Sequence, residues 1–128
     1  MNILIIGLGS IAKKHIEALK SLNIVATIYA LRSNEDASRV ENIINIFDIE
    51  NVDVTFNFAI ISNPTHLHYQ FIEKLAKLGI PLFIEKPAIH SLNNAEKLVA
   101  IIENKMIVTY VACNLRFHHC LKFLKNKI

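Results

Sequence analysis

The sequence predicts an α/β fold, a doubly wound parallel sheet in a single domain, on three observations. Short β-branched apolar runs recur along the chain, they alternate with stretches whose apolar residues return at helical spacing, and a Gly-Leu-Gly turn joins the first run to the first helix.

The elements follow in order. Residues 2–6 (NILII) form an unbroken apolar run ending at Gly7, the pattern of a strand buried on both faces. From Ser10 to Leu22 the positions Ile11, Ala12, Ile16, Leu19 and Leu22 keep helical spacing, and Asn23 stands where a helix stops. Residues 24–31 (IVATIYAL) read as the second strand, which breaks into the polar cluster Arg32, Ser33, Asn34, Glu35 and Asp36. The next stretch offers a short strand at 43–47 and a helical turn at 48–53, with little room for a full crossover helix. Residues 57–62 (NFAIIS) form a further buried strand. Asn63 then supplies a helix cap and Pro64 a first-turn proline, for a helix whose apolar face is Leu67, Phe71, Leu75 and Leu78. Gly79 and Pro81 end it. Residues 82–84 are a short strand, Ser91 caps a helix that buries Leu92, Ala95, Leu98, Val99 and Ile102, and residues 107–112 are the sixth strand.

Composition excludes several classes. With 128 residues, 52% apolar and 20% charged, the chain has enough apolar content for one core and is no disordered polymer. Its apolar runs are far shorter than the roughly 20 residues a bilayer span needs. The first strand starts directly after Met1 and Asn2, without a basic leader, so a cytoplasmic location is expected. Cys113 and Cys120 are then expected as reduced thiols. The net charge of +3 gathers toward the end, in Lys105, Arg116, Lys122, Lys125 and Lys127. No aromatic-rich basic stripe accompanies it, so a solvated face is expected rather than a nucleic-acid surface.

Gly7-Leu8-Gly9-Ser10-Ile11-Ala12 is the GxGxxA form of the dinucleotide fingerprint. Gly7 allows the tight turn, Gly9 lets the backbone approach a pyrophosphate, and Ala12 is small enough for close packing of helix on strand. The amides of Ser10 and its neighbours at the helix start face the phosphates. An NAD site usually places an acidic residue at the end of the second strand, whereas here Arg32 and Ser33 follow Leu31. A guanidinium fork and a hydroxyl suit an adenosine 2′-phosphate, which tilts the expected cofactor toward NADP over NAD. The competing reading leaves Arg32 on the surface and gives the ribose to Glu35 or Asp36.

The metal readings are weak. His66 and His68 lie two apart and point to different faces of a helix, and the Cys113, His118, His119, Cys120 cluster fits no common zinc spacing, so no metal site is expected. His15, between Ile11 and Leu19, is expected as a hydrogen-bonded core histidine.

Four segments then resemble one family in order and spacing. GLGSIA near the start, Ser62-Asn63-Pro64-Thr65-His66-Leu67-His68, Glu85-Lys86-Pro87, and Asn114-Leu115-Arg116-Phe117-His118 are similar to the N-terminal cofactor domain of the glucose-fructose oxidoreductase, inositol dehydrogenase and MocA family. The resemblance implies a Rossmann domain over residues 1–115, with residues 116–128 starting a passage toward a substrate domain that lies outside this sequence. It implies that Ser62, Asn63 and His68 line the cofactor cleft, that Arg116 belongs to the same cofactor-binding set, and that Glu85 positions the loop or the cofactor. Lys86 is implied beside the nicotinamide and the reacting hydroxyl, where a nearby cationic ring would lower its pKa and suit it to proton exchange with an alcohol. The implied activity is hydride transfer between a nicotinamide cofactor and a sugar, sugar-nucleotide or cyclitol alcohol, for which this chain alone is expected to be incomplete. The alternative is a nucleotide-binding module without turnover. Exposed apolar surface would favour a homodimer.

Overall fold

The computed structural model describes residues 1–34 and 40–127. Six strands form one parallel sheet in the order β3-β2-β1-β4-β5-β6, with β1 at Asn2–Ile6, β2 at Thr27–Leu31, β3 at Ile43–Ile46, β4 at Phe58–Ile61, β5 at Leu82–Ile84 and β6 at Thr109–Val111. The order reverses between β1 and β4, so the chain opens a crevice at the carboxyl ends of those two strands. Helix α1 (Ser10–Ser21) covers one face; α2 (His68–Lys77) and α3 (Ala95–Asn104) pack on the other. A short helix α4 (His119–Lys125) follows β6.

Strand β1 is the axis of the molecule. It pairs with β2 from Asn2↔Thr27 to Ile6↔Leu31, and with β4 from Ile3↔Phe58 to Ile6↔Ile61. Its side chains alternate between two cores. Ile3 and Ile5 join Ala12, Ile16, Ile28 and Ile60 beneath α1, while Leu4 and Ile6 join Ile61, Ile72, Leu75, Ile84 and Leu98 beneath α2 and α3. This double burial is why the run carries no polar alternation.

Several boundaries differ from the sequence expectation, each for a local reason. Strand β2 begins at Thr27 rather than Ile24, because Asn23 adopts the left-handed conformation (φ 53°) and the Ile24 amide bonds back to Leu19, leaving Val25 almost fully exposed. The expected helical turn at 48–53 is a hydrogen-bonded turn, in which the Asp48 carboxylate accepts from the Glu50 amide and the Asn51 side chain. Asn63 does not cap α2. Pro64 stays extended (ψ 136°), a single 3₁₀ turn occupies Thr65–Leu67, and α2 starts at His68. With that start the buried face becomes His68, Ile72, Leu75 and Ala76, and Leu78 is half exposed.

Helix α3 likewise starts late. Asn94 is left-handed (φ 61°), the Ser91 hydroxyl accepts from the Asn93 amide instead of capping the helix, and Leu92 lies outside it in solvent. Of the expected buried set only Leu98 is fully enclosed; Val99 is half exposed. Gly79 holds the left-handed position expected of it (φ 76°). No helix among the described residues is long and apolar enough to cross a membrane.

Candidate functional site

The crevice is built around the glycine turn. Gly7 is left-handed (φ 83°), and a Cβ there would meet Asn63 Cα at 2.7 Å, so only glycine lets the β1 turn close against the β4 turn. Across that contact the Ser62 hydroxyl lies 2.9 Å from the Gly7 carbonyl and 3.2 Å from that of Ile6. Gly9 is different. A Cβ there would meet nothing within 4 Å, so its backbone faces open space at the entrance to α1. Ser10 and Ile11 are exposed, Ala12 is wholly buried against the sheet, and the first turn of α1 contains no acidic side chain. Unpaired amides and an uncompensated helix dipole are thus presented to the crevice.

A cleft lies on either side of this turn. The first, about 410 Å³, runs over the ends of β1, β2 and β3 on the α2 side, between Gly7, Arg32, Ser33, Phe47, Asn63 and Phe71 among others. Arg32 is half-buried and makes no ion pair among the described residues; Glu35 and Asp36, the alternative ribose ligands, lie outside them. Lys74 and Asp48 also line this cleft, with the Lys74 amine 3.1 Å from Glu50 and 3.9 Å from Asp48. Both amide atoms of Asn63 are buried without a hydrogen-bond partner among the described residues. An orphaned amide at a cleft wall is costly unless a ligand completes it.

The second cleft, about 390 Å³, opens on the α1 side over the ends of β5 and β6, lined by Ile11, His15, Phe83, Glu85, Asn114 and Phe117 among others. His15 does not sit in the core as expected. It is hydrogen-bonded, but at the cleft wall, with Nε2 2.6 Å from Glu85 Oε1 and its ring edge-on to Phe83 at 5.2 Å. Lys86, the next residue, is exposed and makes no ion pair among the described residues.

His68 is the counterpart below the turn. It is 1% exposed, with Nε2 2.8 Å from the Asn63 carbonyl and Nδ1 3.1 Å from that of Ala88. Its ring does not reach the cleft; it joins the backbone beside the glycine turn to the segment after Pro87. Arg116 is exposed, 5.8 Å over the Phe117 ring, and lines neither cleft.

Phe47, Asp48 and Lys74 were not singled out by sequence. Phe47 and Asp48 follow β3 directly, and the rule that ligands gather at strand carboxyl ends would have found them. Lys74 lies inside α2, with no sequence signal of its own.

Among the described residues no group of three His, Cys, Asp or Glu side chains could hold a metal ion. The residues do suit a dinucleotide: an open approach at Gly9, a helix start with free amides, an orphaned Asn63 amide, and a cleft on each side.

Comparison with known proteins agrees with this geometry. The chain is 27% identical to the oxidoreductase YrbE of Bacillus subtilis over 94% of its length, and 27% identical to the yeast protein YMR315W over 100%. It spans only 38% and 40% of those two relatives. The WlbA dehydrogenase of Thermus thermophilus, solved with NAD and UDP-GlcNAcA, superposes with a TM-score of 0.81 at 22% identity, covering 99% of this chain and 46% of that one. An oxidoreductase from Desulfitobacterium hafniense described as NADPH-dependent superposes at 0.83 with 20% identity, over 100% of this chain and 39% of that one. The model of the oxidoreductase family with an NAD-binding Rossmann fold, GFO_IDH_MocA, matches residues 1–113, and the chain belongs to that family.

Proposed function

We propose that this chain binds NADP(H) across the crevice and presents Lys86 to the reacting alcohol of a sugar, sugar nucleotide or cyclitol. The observation that carries the reading is the Gly7–Gly9 turn standing between two clefts, with the unpaired Asn63 amide beside it. The amides at Gly9, Ser10 and Ile11, at the start of α1, would hold the diphosphate. The first cleft, with Arg32 and Ser33 for a 2′-phosphate, would hold the adenosine half, and the second, with Ile11 and Glu85, the nicotinamide half.

The cofactor supplies hydride exchange at carbon. The protein's own part is proton management and orientation. Lys86 Nζ takes the proton of the alcohol as the carbonyl forms and returns it in reduction. Ser62 and His68 act through the backbone, fixing the glycine turn and the loop after Pro87. The relative solved with UDP-GlcNAcA supports a sugar-nucleotide substrate. Since the chain spans about 40% of its relatives, the full substrate pocket is proposed to draw on residues outside it.

Titration of the chain with NADPH and NADH, followed by nicotinamide fluorescence, tests the reading. Binding of both with NADPH tighter is the expected result. Absence of binding by either would overturn it, and equal affinities would overturn the NADP preference.

A further inference from the structure

We propose that His15 is a positioning residue that withholds the Glu85 carboxylate from Lys86, and so keeps the lysine amine free for chemistry. This rests on the reading of the second cleft as the nicotinamide side. The sequence sets a carboxylate directly before the lysine. Left to itself, such a carboxylate would compete for the ammonium and hold its proton. In the structure it is occupied elsewhere.

Glu85 Oε1 lies 2.6 Å from His15 Nε2, and Oε2 accepts from the Lys86 backbone amide at 3.4 Å. A carboxylate only accepts, so Nε2 carries the proton and donates. Both side chains are about one-fifth exposed, which shields the bond from water more than an open surface pair. The imidazole has little freedom to turn away. Phe83 meets it edge-on at 5.2 Å and is itself stacked on Tyr110 at 5.5 Å.

The bond also couples two parts of the site. His15 belongs to α1, whose first turn faces the diphosphate, while Glu85 is one peptide from Lys86. Helix and lysine loop are therefore registered by one charge-assisted contact, 70 residues apart in sequence.

The rate at which an acid anhydride acylates Lys86 in the intact chain, mapped by mass spectrometry, reads the freedom of the amine. His15→Leu should slow this acylation about tenfold, the effect of raising an amine by one pKa unit. His15→Gln keeps an N–H donor and should restore it to within about twofold. In the double variant His15→Leu with Glu85→Gln the slowing should vanish, and Glu85→Gln alone should leave the rate unchanged. A faster rate in Glu85→Gln alone would mean that Glu85 already pairs with Lys86, and would overturn the proposal without any His15 variant having to fold. An unchanged rate in folded His15→Leu would overturn it as well. A wild-type chain that binds neither NADPH nor NADH would instead refute the cofactor reading, and the acylation rates would still decide the clamp.

Discussion

The two faces of the sheet are built differently. Beneath α2 and α3 the strands contribute Leu4, Ile6, Ala59, Ile61, Leu82 and Ile84 to a continuous buried cluster closed by Ile72, Leu75 and Leu98. Beneath α1 the cluster is small, and it stops at Phe83. Beyond that point Tyr110 is partly exposed, and Phe117, at the wall of the second cleft, is open to solvent. Both faces carry a core, but the α1 face leaves β5 and β6 uncovered, and a cleft occupies the gap.

Truncations should separate the continuous core from the open rim of the second cleft most strongly. Leu75→Ala or Ile61→Ala, both at wholly buried positions, should cost about 2–5 kcal/mol in urea unfolding. Phe117→Ala, at a position more than half exposed, should cost less than about 1 kcal/mol. Equal costs would erase the distinction.

The glycine turn sharpens the contrast at smaller scale. Gly7→Ala forces a side chain into Asn63 at a left-handed position, so a loss of about 1–3 kcal/mol of stability is expected, together with loss of dinucleotide binding. Gly9→Ala has room, so its melting temperature should stay within a few degrees while the affinity for NADPH falls about tenfold or more. In the first cleft Arg32→Ala should weaken NADPH about tenfold, as expected for loss of a hydrogen bond to a charged group, and leave NADH nearly unchanged. Calorimetric titration with both cofactors reads that ratio.

The smallest effect is electrostatic and confined to the face of α2 and α3. Glu73 on α2 lies 3.1 Å from both Lys97 of α3 and Lys77. Its hydrogen bond to Lys97, then that to Lys77, lowers its pKa below the ordinary 4.5, and the same Glu73 contact raises Lys97 above 10.5. A lowered carboxylate stabilises fully above its unfolded value and loses that contribution as pH falls through the folded one. The raised lysine contributes below 10.5 and loses its share as pH rises through its folded value. Glu73→Gln should therefore shrink the difference in melting temperature between neutral and acid pH, by a small amount because both lysine partners are exposed.

The sequence was most legible in the apolar runs. β1, buried on both faces, and β5, buried on one, fall where those runs place them, and the GxGxxA turn lies between strand and helix as its spacing requires. Helix starts were harder. Pro64 and Asn94 each delay a helix through backbone conformation, ψ 136° in one and φ 61° in the other, which residue type alone does not dictate. In the site, the sequence placed Arg32 just beyond β2, at the wall of the first cleft, while a role for Lys86 came only with the family resemblance. The partnership of His15 with Glu85 could not be read from the sequence, since it joins positions brought together only by the parallel order of β1, β4 and β5.

The placement of β1 also bears on how the chain is made. One side of the strand can pair as soon as Thr27–Leu31 has left the ribosome, but the other must wait for Phe58–Ile61. During that interval the central strand of the sheet offers an open backbone edge, a template for pairing with other chains. Any shortened form ending before Phe58 keeps that edge permanently, and is expected to aggregate or to need a chaperone rather than to fold as a smaller domain.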